Sequence, residues 1–182
     1  KLGEYERVGG YTALRNALGT PPEALLEQCL ESGLRGRGGA GFPMGRKASF
    51  LPKPDQTTKP IYLAVNADES EPGTFKDRLL IDYDPHLVLE GIAIACWACR
   101  LDTAYFFIRG EYRSQAGVVE AAIQEAYDNG IFGPQGLMRG KVDFKVDCHL
   151  HRSAGAYICG EETGLIEAIE GKRAWPRVKP PF

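Results

Sequence analysis

The residues able to do chemistry in this sequence fall into four stretches, whose side chains suit anions, sugar hydroxyls and flat rings. The first is Arg35-Gly36-Arg37-Gly38-Gly39-Ala40-Gly41-Phe42-Pro43, with a G-x-G-x-x-G at Gly36, Gly38 and Gly41. Glycines there let backbone N–H groups approach an anion or a ring closely, and Arg35, Arg37, Arg46 and Lys47 add charge suited to phosphate. The pattern is weak alone. A dinucleotide fingerprint follows a strand and opens a helix, whereas this one follows a helix, and a surface loop would read the same way.

The second stretch, Asn66-Ala67-Asp68-Glu69-Ser70-Glu71-Pro72-Gly73, directly follows a short apolar run. Open α/β sheets bind ligands at that position, beyond the carboxyl end of a strand. Its amide, hydroxyl and carboxylates suit a heterocycle edge and ribose, or equally a solvated acidic turn. The third, Gly155-Ala156-Tyr157-Ile158-Cys159-Gly160-Glu161-Glu162-Thr163-Gly164, again lies between a strand and a helix, so N–H groups converge there. Glu161 and Glu162 also suit a simpler role as partners of the helix dipole. The fourth, from Lys172 to Phe182, is basic, proline-rich and aromatic at its end. It could clamp phosphates and an adenine, and by composition it also reads as a linker.

Two further patterns carry less. Cys96-Trp97-Ala98-Cys99 is a C-x-x-C inside a nearly uniform apolar helix, which favours packing over redox chemistry. In Cys148-His149-Leu150-His151 a strand would turn the histidines to one face and the cysteine to the other, too few ligands for zinc.

These stretches need a frame. Thr20-Pro21-Pro22-Glu23 reads as a capped helix start, with Leu25, Leu26, Cys29 and Leu30 as its stripe and Gly33 as its stop. Strands are predicted at 61–65, 104–108 and 142–150, and helices at 86–100, 114–129 and 161–170, with 171–182 extended and leading to a next domain. Alternation of this kind predicts one three-layer α/β domain over residues 1–182 with a largely parallel sheet, Rossmann-like but with a non-standard glycine-rich loop.

Composition fits. At 182 residues and 43% hydrophobic the chain can bury a core, and 24 acidic against 22 basic residues leave no strong field for nucleic acid or a membrane surface. The longest apolar run, Leu87 to Cys99, is too short to cross a bilayer. Five scattered cysteines suit a reducing compartment. The charged start lacks an initiator Met and a signal-peptide pattern, and so reads as a piece of a longer chain.

Taken together, the four stretches resemble the flavin-bearing NADH dehydrogenase subunit of respiratory complex I. The resemblance runs from about Gly9 to the end, in order. It rests on Gly36 to Pro43, Asn66 to Glu69, Glu71 to Thr74, Lys76-Asp77-Arg78, Ala156 to Thr163 and Lys179-Pro180-Pro181-Phe182. It implies an FMN lined by Gly36, Arg37, Gly38, Gly39, Lys47, Asn66, Asp68, Glu69, Ser70, Tyr157, Gly160 and Glu161. It implies NADH contacts from Phe42, Phe50, Glu71, Glu162, Lys179 and Phe182. A carboxylate beside the adenosine ribose would repel the extra phosphate of NADPH, with Glu162 the first candidate for that role and Glu71 the other. Hydride would pass directly from NADH to FMN, with no catalytic acid, base or nucleophile, and single electrons would leave to iron–sulfur clusters.

The chain itself would hold no metal, a [4Fe–4S] cluster being expected beyond Phe182. Implied partners are other peripheral-arm subunits, especially a [2Fe–2S] subunit and a large iron–sulfur subunit. The implied place is the cytoplasmic face of a bacterial inner membrane or the mitochondrial matrix side, with no insertion into the bilayer and no nucleic acid. The same module occurs in diaphorase subunits of NAD-reducing hydrogenases and formate dehydrogenases, which is the alternative reading; a non-catalytic scaffold is a second. The sequence departs from the family at Met44, at Arg46-Lys47-Ala48, which lacks a tryptophan beside Lys47, and at Gly164, where alanine is usual and the exchange is expected to matter little.

Overall fold

Thr103-Ala104-Tyr105-Phe106-Phe107-Ile108 is β-branched or aromatic at nearly every position, the composition of a buried parallel strand, and it is the middle strand of the sheet. The computed structural model describes residues 1–53 and 56–179. Four helices precede the sheet: α1 (Leu2–Arg7), α2 (Thr12–Ala17), α3 (Pro22–Glu31) and α4 (Met44–Ala48). Strand β1 (Leu63–Ala67) leads through α5 (Lys76–Tyr83) and α6 (Pro85–Cys99) to β2 (Thr103–Ile108). From there α7 (Arg113–Asp128) and the short turn α8 (Leu137–Gly140) lead to β3 (Asp147–Arg152). A 3₁₀ turn (Tyr157–Gly160) and α9 (Glu162–Ile169) follow.

The strands lie in the order β1-β2-β3, all parallel, with Leu63 opposite Ala104 and Thr103 opposite Asp147. Parallel pairing brings all three carboxyl ends to one edge. Side-chain alternation divides the core. Ala104, Phe106 and Ile108 join the main cluster with Leu89, Ala93, Cys96, Val119 and Ala126 from α6 and α7. Phe107 points the other way and packs with Cys159 and Leu165 beneath α9. This makes the three layers.

Helix α6 is apolar on most sides because α1, α2, α3, α5 and α7 surround it. Its one acidic residue, Glu90, is buried and accepts from the backbone N–H groups of Tyr11 (3.0 Å) and Leu14 (2.8 Å), so it caps the start of α2 from another helix. His86 extends this network, with Nδ1 2.8 Å from the Tyr11 hydroxyl and Nε2 2.8 Å from Glu125.

Several expected bounds shift. Pro21 takes the cap position of α3, while the Thr20 hydroxyl donates to the Asn16 carbonyl instead. β1 starts and ends two residues later than its apolar run, because its ladder with β2 continues to Ala67 opposite Ile108. β3 begins at Asp147 rather than Val142, since Phe144 and Val146 accept from Leu137 and Gly133 before pairing with β2 starts. Helices α1, α2, α4, α5 and the short α8 have no counterpart in the sequence reading.

Cys96 is fully buried and Cys99 half-buried, and burial pushes the Cys96 thiol up to about 12. Changing both to alanine is expected to lower stability by about 1–3 kcal/mol through lost packing. Urea unfolding with and without a thiol reductant checks this. A midpoint of the unaltered protein that moves with reductant would instead mark a redox pair.

Candidate functional site

At the end of β1, Asn66 is held in the sheet ladder opposite Phe107. Its amide makes two bonds outward: Nδ2 donates to the Gly160 carbonyl (2.9 Å) and Oδ1 accepts from the Asp68 N–H (3.0 Å). One side chain therefore ties the loop after β1 to the 3₁₀ turn after β3. The approach is close, because a Cβ on Gly160 would lie 3.2 Å from the Asp68 carbonyl oxygen.

Asp68 sits inside this junction. Its Oδ1 accepts from the Ser70 hydroxyl, while Oδ2 is buried and has no hydrogen-bond partner among the described residues. Burial pushes its carboxyl above the usual range, helped by Glu111 and opposed by the Ser70 bond, by Arg109 and by the nearby Ser153 hydroxyl. Glu69 turns the opposite way. Its buried carboxylate accepts from the N–H groups of Asp77 (2.9 Å) and Arg78 (3.2 Å) and from the Tyr112 hydroxyl (3.1 Å). It caps α5 rather than facing the junction, which departs from the lining role that the resemblance implies for its side chain.

The Tyr157 hydroxyl donates to Glu71 at 2.6 Å, a second bond between the same two loops, and the carboxylate beside it pushes the hydroxyl up. Glu161 is the cap of α9: its Oε2 accepts from the N–H groups of Thr163 (2.9 Å) and Gly164 (2.8 Å) and from the Thr163 hydroxyl (2.5 Å). These bonds hold its carboxyl down at about 2. Its helix-capping role is thus realised. Lys179 lies across the acidic pair, with Nζ 3.0 Å from Glu161 and 2.5 Å from Glu162.

The glycine-rich loop is closed by a bridge between Arg35 and Pro43, with the Gly36 N–H donating to Phe42 O (2.9 Å). A Cβ on Gly38 or Gly39 would meet nothing within 4 Å, so packing does not exclude side chains there; the bare backbone is left open to a ligand. The Phe42 and Phe50 rings lie 6.3 Å apart, and the Arg46 guanidinium stands 5.6 Å over Phe50. Arg37 and Lys47 are exposed. Among the described residues, no hydrogen bond or ion pair joins this loop to the Asn66–Gly160 junction; it is carried by α3 and α4. Phe182 lies outside the described residues.

Sequence reading missed Arg109 and Tyr112. Arg109 donates to the Glu69 carbonyl (2.8 Å) and Tyr112 to its carboxylate, so they hold the 68–70 loop from behind. The available signal was position: Arg109-Gly110-Glu111-Tyr112 follows β2 as Asp68 follows β1.

Gly164 is also not neutral. A Cβ there would lie 2.7 Å from the Ile158 carbonyl oxygen and 3.1 Å from that of Ala174, both backbone atoms. Gly164→Ala is expected to cost about 1–3 kcal/mol through the forced shift of the 3₁₀ turn. Urea unfolding measures it, and an unchanged midpoint would show that α9 moves freely enough to take the methyl.

A parallel sheet with polar loops joined at its carboxyl edge, an open glycine loop and an acidic helix start defines a nucleotide-cofactor-binding α/β domain. The chain belongs to the Nuo51 FMN-binding domain family, whose model matches residues 29–182. It is 54% identical over 182 residues to an NADH-quinone oxidoreductase subunit of Rhizobium meliloti (strain 1021), covering all of this chain and 42% of that protein. It is 50% identical over 174 residues to the mitochondrial NADH dehydrogenase [ubiquinone] flavoprotein 1 of Dictyostelium discoideum, covering 96% of this chain and 36% of that one. A chain of the crystal structure of an NAD⁺-reducing [NiFe]-hydrogenase in the H₂-reduced state superposes with a TM-score of 0.76 at 38% identity, over 91% of this chain and 28% of that chain. The chain spans about two-fifths of the length of the curated relatives.

Proposed function

We propose that the chain is the flavin-holding, NADH-oxidising part of a complex I flavoprotein subunit. The observation that carries this reading is Asp68: a buried carboxylate oxygen without a protein partner among the described residues, at the junction of the β1 and β3 loops. Such an acceptor is costly unless a ligand hydroxyl or N–H completes it. FMN supplies the redox chemistry when bound, accepting electrons from NADH in pairs and releasing them singly.

The chain's own residues bind and orient. Asn66, Asp68, Ser70, Tyr157 and Gly160 hold the flavin's polar edge and ribityl chain, while Gly36, Gly38 and Gly39 leave a bare backbone for close approach. Arg37 and Lys47 suit the phosphate. Glu69 and Glu161 act through the backbone, each fixing the start of a helix behind the site. Phe42 and Phe50 stack on adenine, with Phe182 assigned the same role, and Glu71 and Glu162 accept ribose hydroxyls. Lys179 offsets negative charge beside the pyrophosphate. Glu162 repels the added phosphate of NADPH. No residue needs to donate or remove a proton from substrate.

The partners in this reading are iron–sulfur subunits of the peripheral arm, and the protein is peripheral to the membrane. No described helix is long and apolar enough to cross one. A diaphorase subunit of a soluble hydrogenase is the second reading, supported by the structural neighbours at 38% and 35% identity. The 54% identity to a quinone oxidoreductase subunit favours the first.

The test is chemical. The full-length subunit is purified with its partners and denatured, and the released cofactor is identified by mass. One FMN per subunit is expected; FAD, or no flavin at all, contradicts the assignment.

A further inference from the structure

The segment after α9 turns back along that helix, held by Lys172 on Glu167 and Glu170, by Ala174 packed beneath the helix, and by Arg177. Arg177 reaches α9 in three ways. Its backbone N–H donates to the Thr163 hydroxyl (2.9 Å), its Nε bonds Glu167, and its Nη2 bonds Glu170 at 2.9 Å. Thr163 is then satisfied on both sides, because its hydroxyl donates to Glu161 while accepting from Arg177. One exposed ion pair orders little, but a fork divided between two carboxylates and a main-chain bond from the same residue fix the local chain. Two residues further on, Lys179 meets Glu161 and Glu162.

We propose that Arg177 is a positioning residue for dinucleotide binding, which anchors the returning segment on α9 so that the Lys179 ammonium stays at the mouth of the site. This rests on the NADH reading above. Glu161 and Glu162 put two carboxylates at the start of α9, and Lys179 is the cation lying across both, offsetting charge that would repel a dinucleotide's diphosphate. Arg177 does not face that ligand, since its guanidinium is engaged by Glu167 and Glu170. It acts only through where it holds Lys179. Without the Arg177 anchor, the preceding contact is Ala174 beneath α9, so Lys179 is left to its own ion pairs at the end of a longer free stretch.

The test uses the flavin-loaded full-length subunit in its complex. For Arg177→Ala, Lys179→Ala, the double variant and Arg177→Lys, it measures KM and kcat for NADH and the inhibition constant of ADP-ribose, a diphosphate lacking nicotinamide. Arg177→Ala should raise both KM and the ADP-ribose constant roughly threefold to tenfold, with flavin content and kcat retained. Arg177→Lys should recover part of the loss. In the Lys179→Ala background, removing Arg177 should add nothing further. Additive effects, or an Arg177→Ala protein with both constants unchanged, overturn the anchoring role. Unchanged constants in Lys179→Ala overturn it as well, while NADH oxidation by the wild-type complex keeps the functional reading standing.

Discussion

Asn66 occupies the last-but-one position of a parallel strand, where its backbone is committed to the ladder and its side chain is free to reach sideways. The two bonds it makes there, to Gly160 O and from Asp68 N–H, join segments 94 residues apart in the chain. The polar loops at the carboxyl edge of the sheet depend on that join, whereas the glycine-rich loop is carried separately by α3 and α4. The join brings Asp68 under cover, sets the 3₁₀ turn so close that a Cβ on Gly160 would lie 3.2 Å from the Asp68 carbonyl oxygen, and so places the cap of α9. The fold's contribution is to make the join possible: three parallel strands in sequential order put their outgoing loops on one edge, side by side.

Charge follows from the same geometry. Acidic residues gather at this edge because loops at strand ends and a helix start both take carboxylates readily. Their environments then separate them. Asp68 is desolvated and pushed up, whereas Glu161 is held down by the Thr163 hydroxyl, helix N–H groups and Lys179. Glu69, next to Asp68 in sequence, is removed from the site altogether by capping α5. Neighbouring carboxylates of identical type thus differ in what each can offer a ligand.

Much of this was legible in the residue pattern. The three strands, α6, α7 and α9 follow from apolar period and turn residues, and the parallel sheet follows from their alternation. What the pattern concealed has one common cause: contacts set by residues far along the chain. β1 runs on to Ala67 only because β2 is there to pair with it. α5 and α2 are polar or short, and each is started by a carboxylate from elsewhere, Glu69 and Glu90, that local reading takes as a ligand group or as an interruption. Gly164 looked interchangeable with alanine because nothing nearby in sequence reveals Ile158 O and Ala174 O above it. Motif positions were readable for most site residues; the direction in which a side chain faces was not, and Glu69 is the case that separates the two.

The most direct measurement is the equilibrium affinity for FMN of the flavin-free, full-length protein, by fluorescence quenching, in wild type and Asn66→Ala. Losing two hydrogen bonds of about 0.5–1.5 kcal/mol each should weaken FMN binding by about fivefold to 150-fold while the protein remains folded. A folded Asn66→Ala protein that binds FMN as tightly as wild type would contradict the account, since the junction of the β1 and β3 loops would then not be what forms the site.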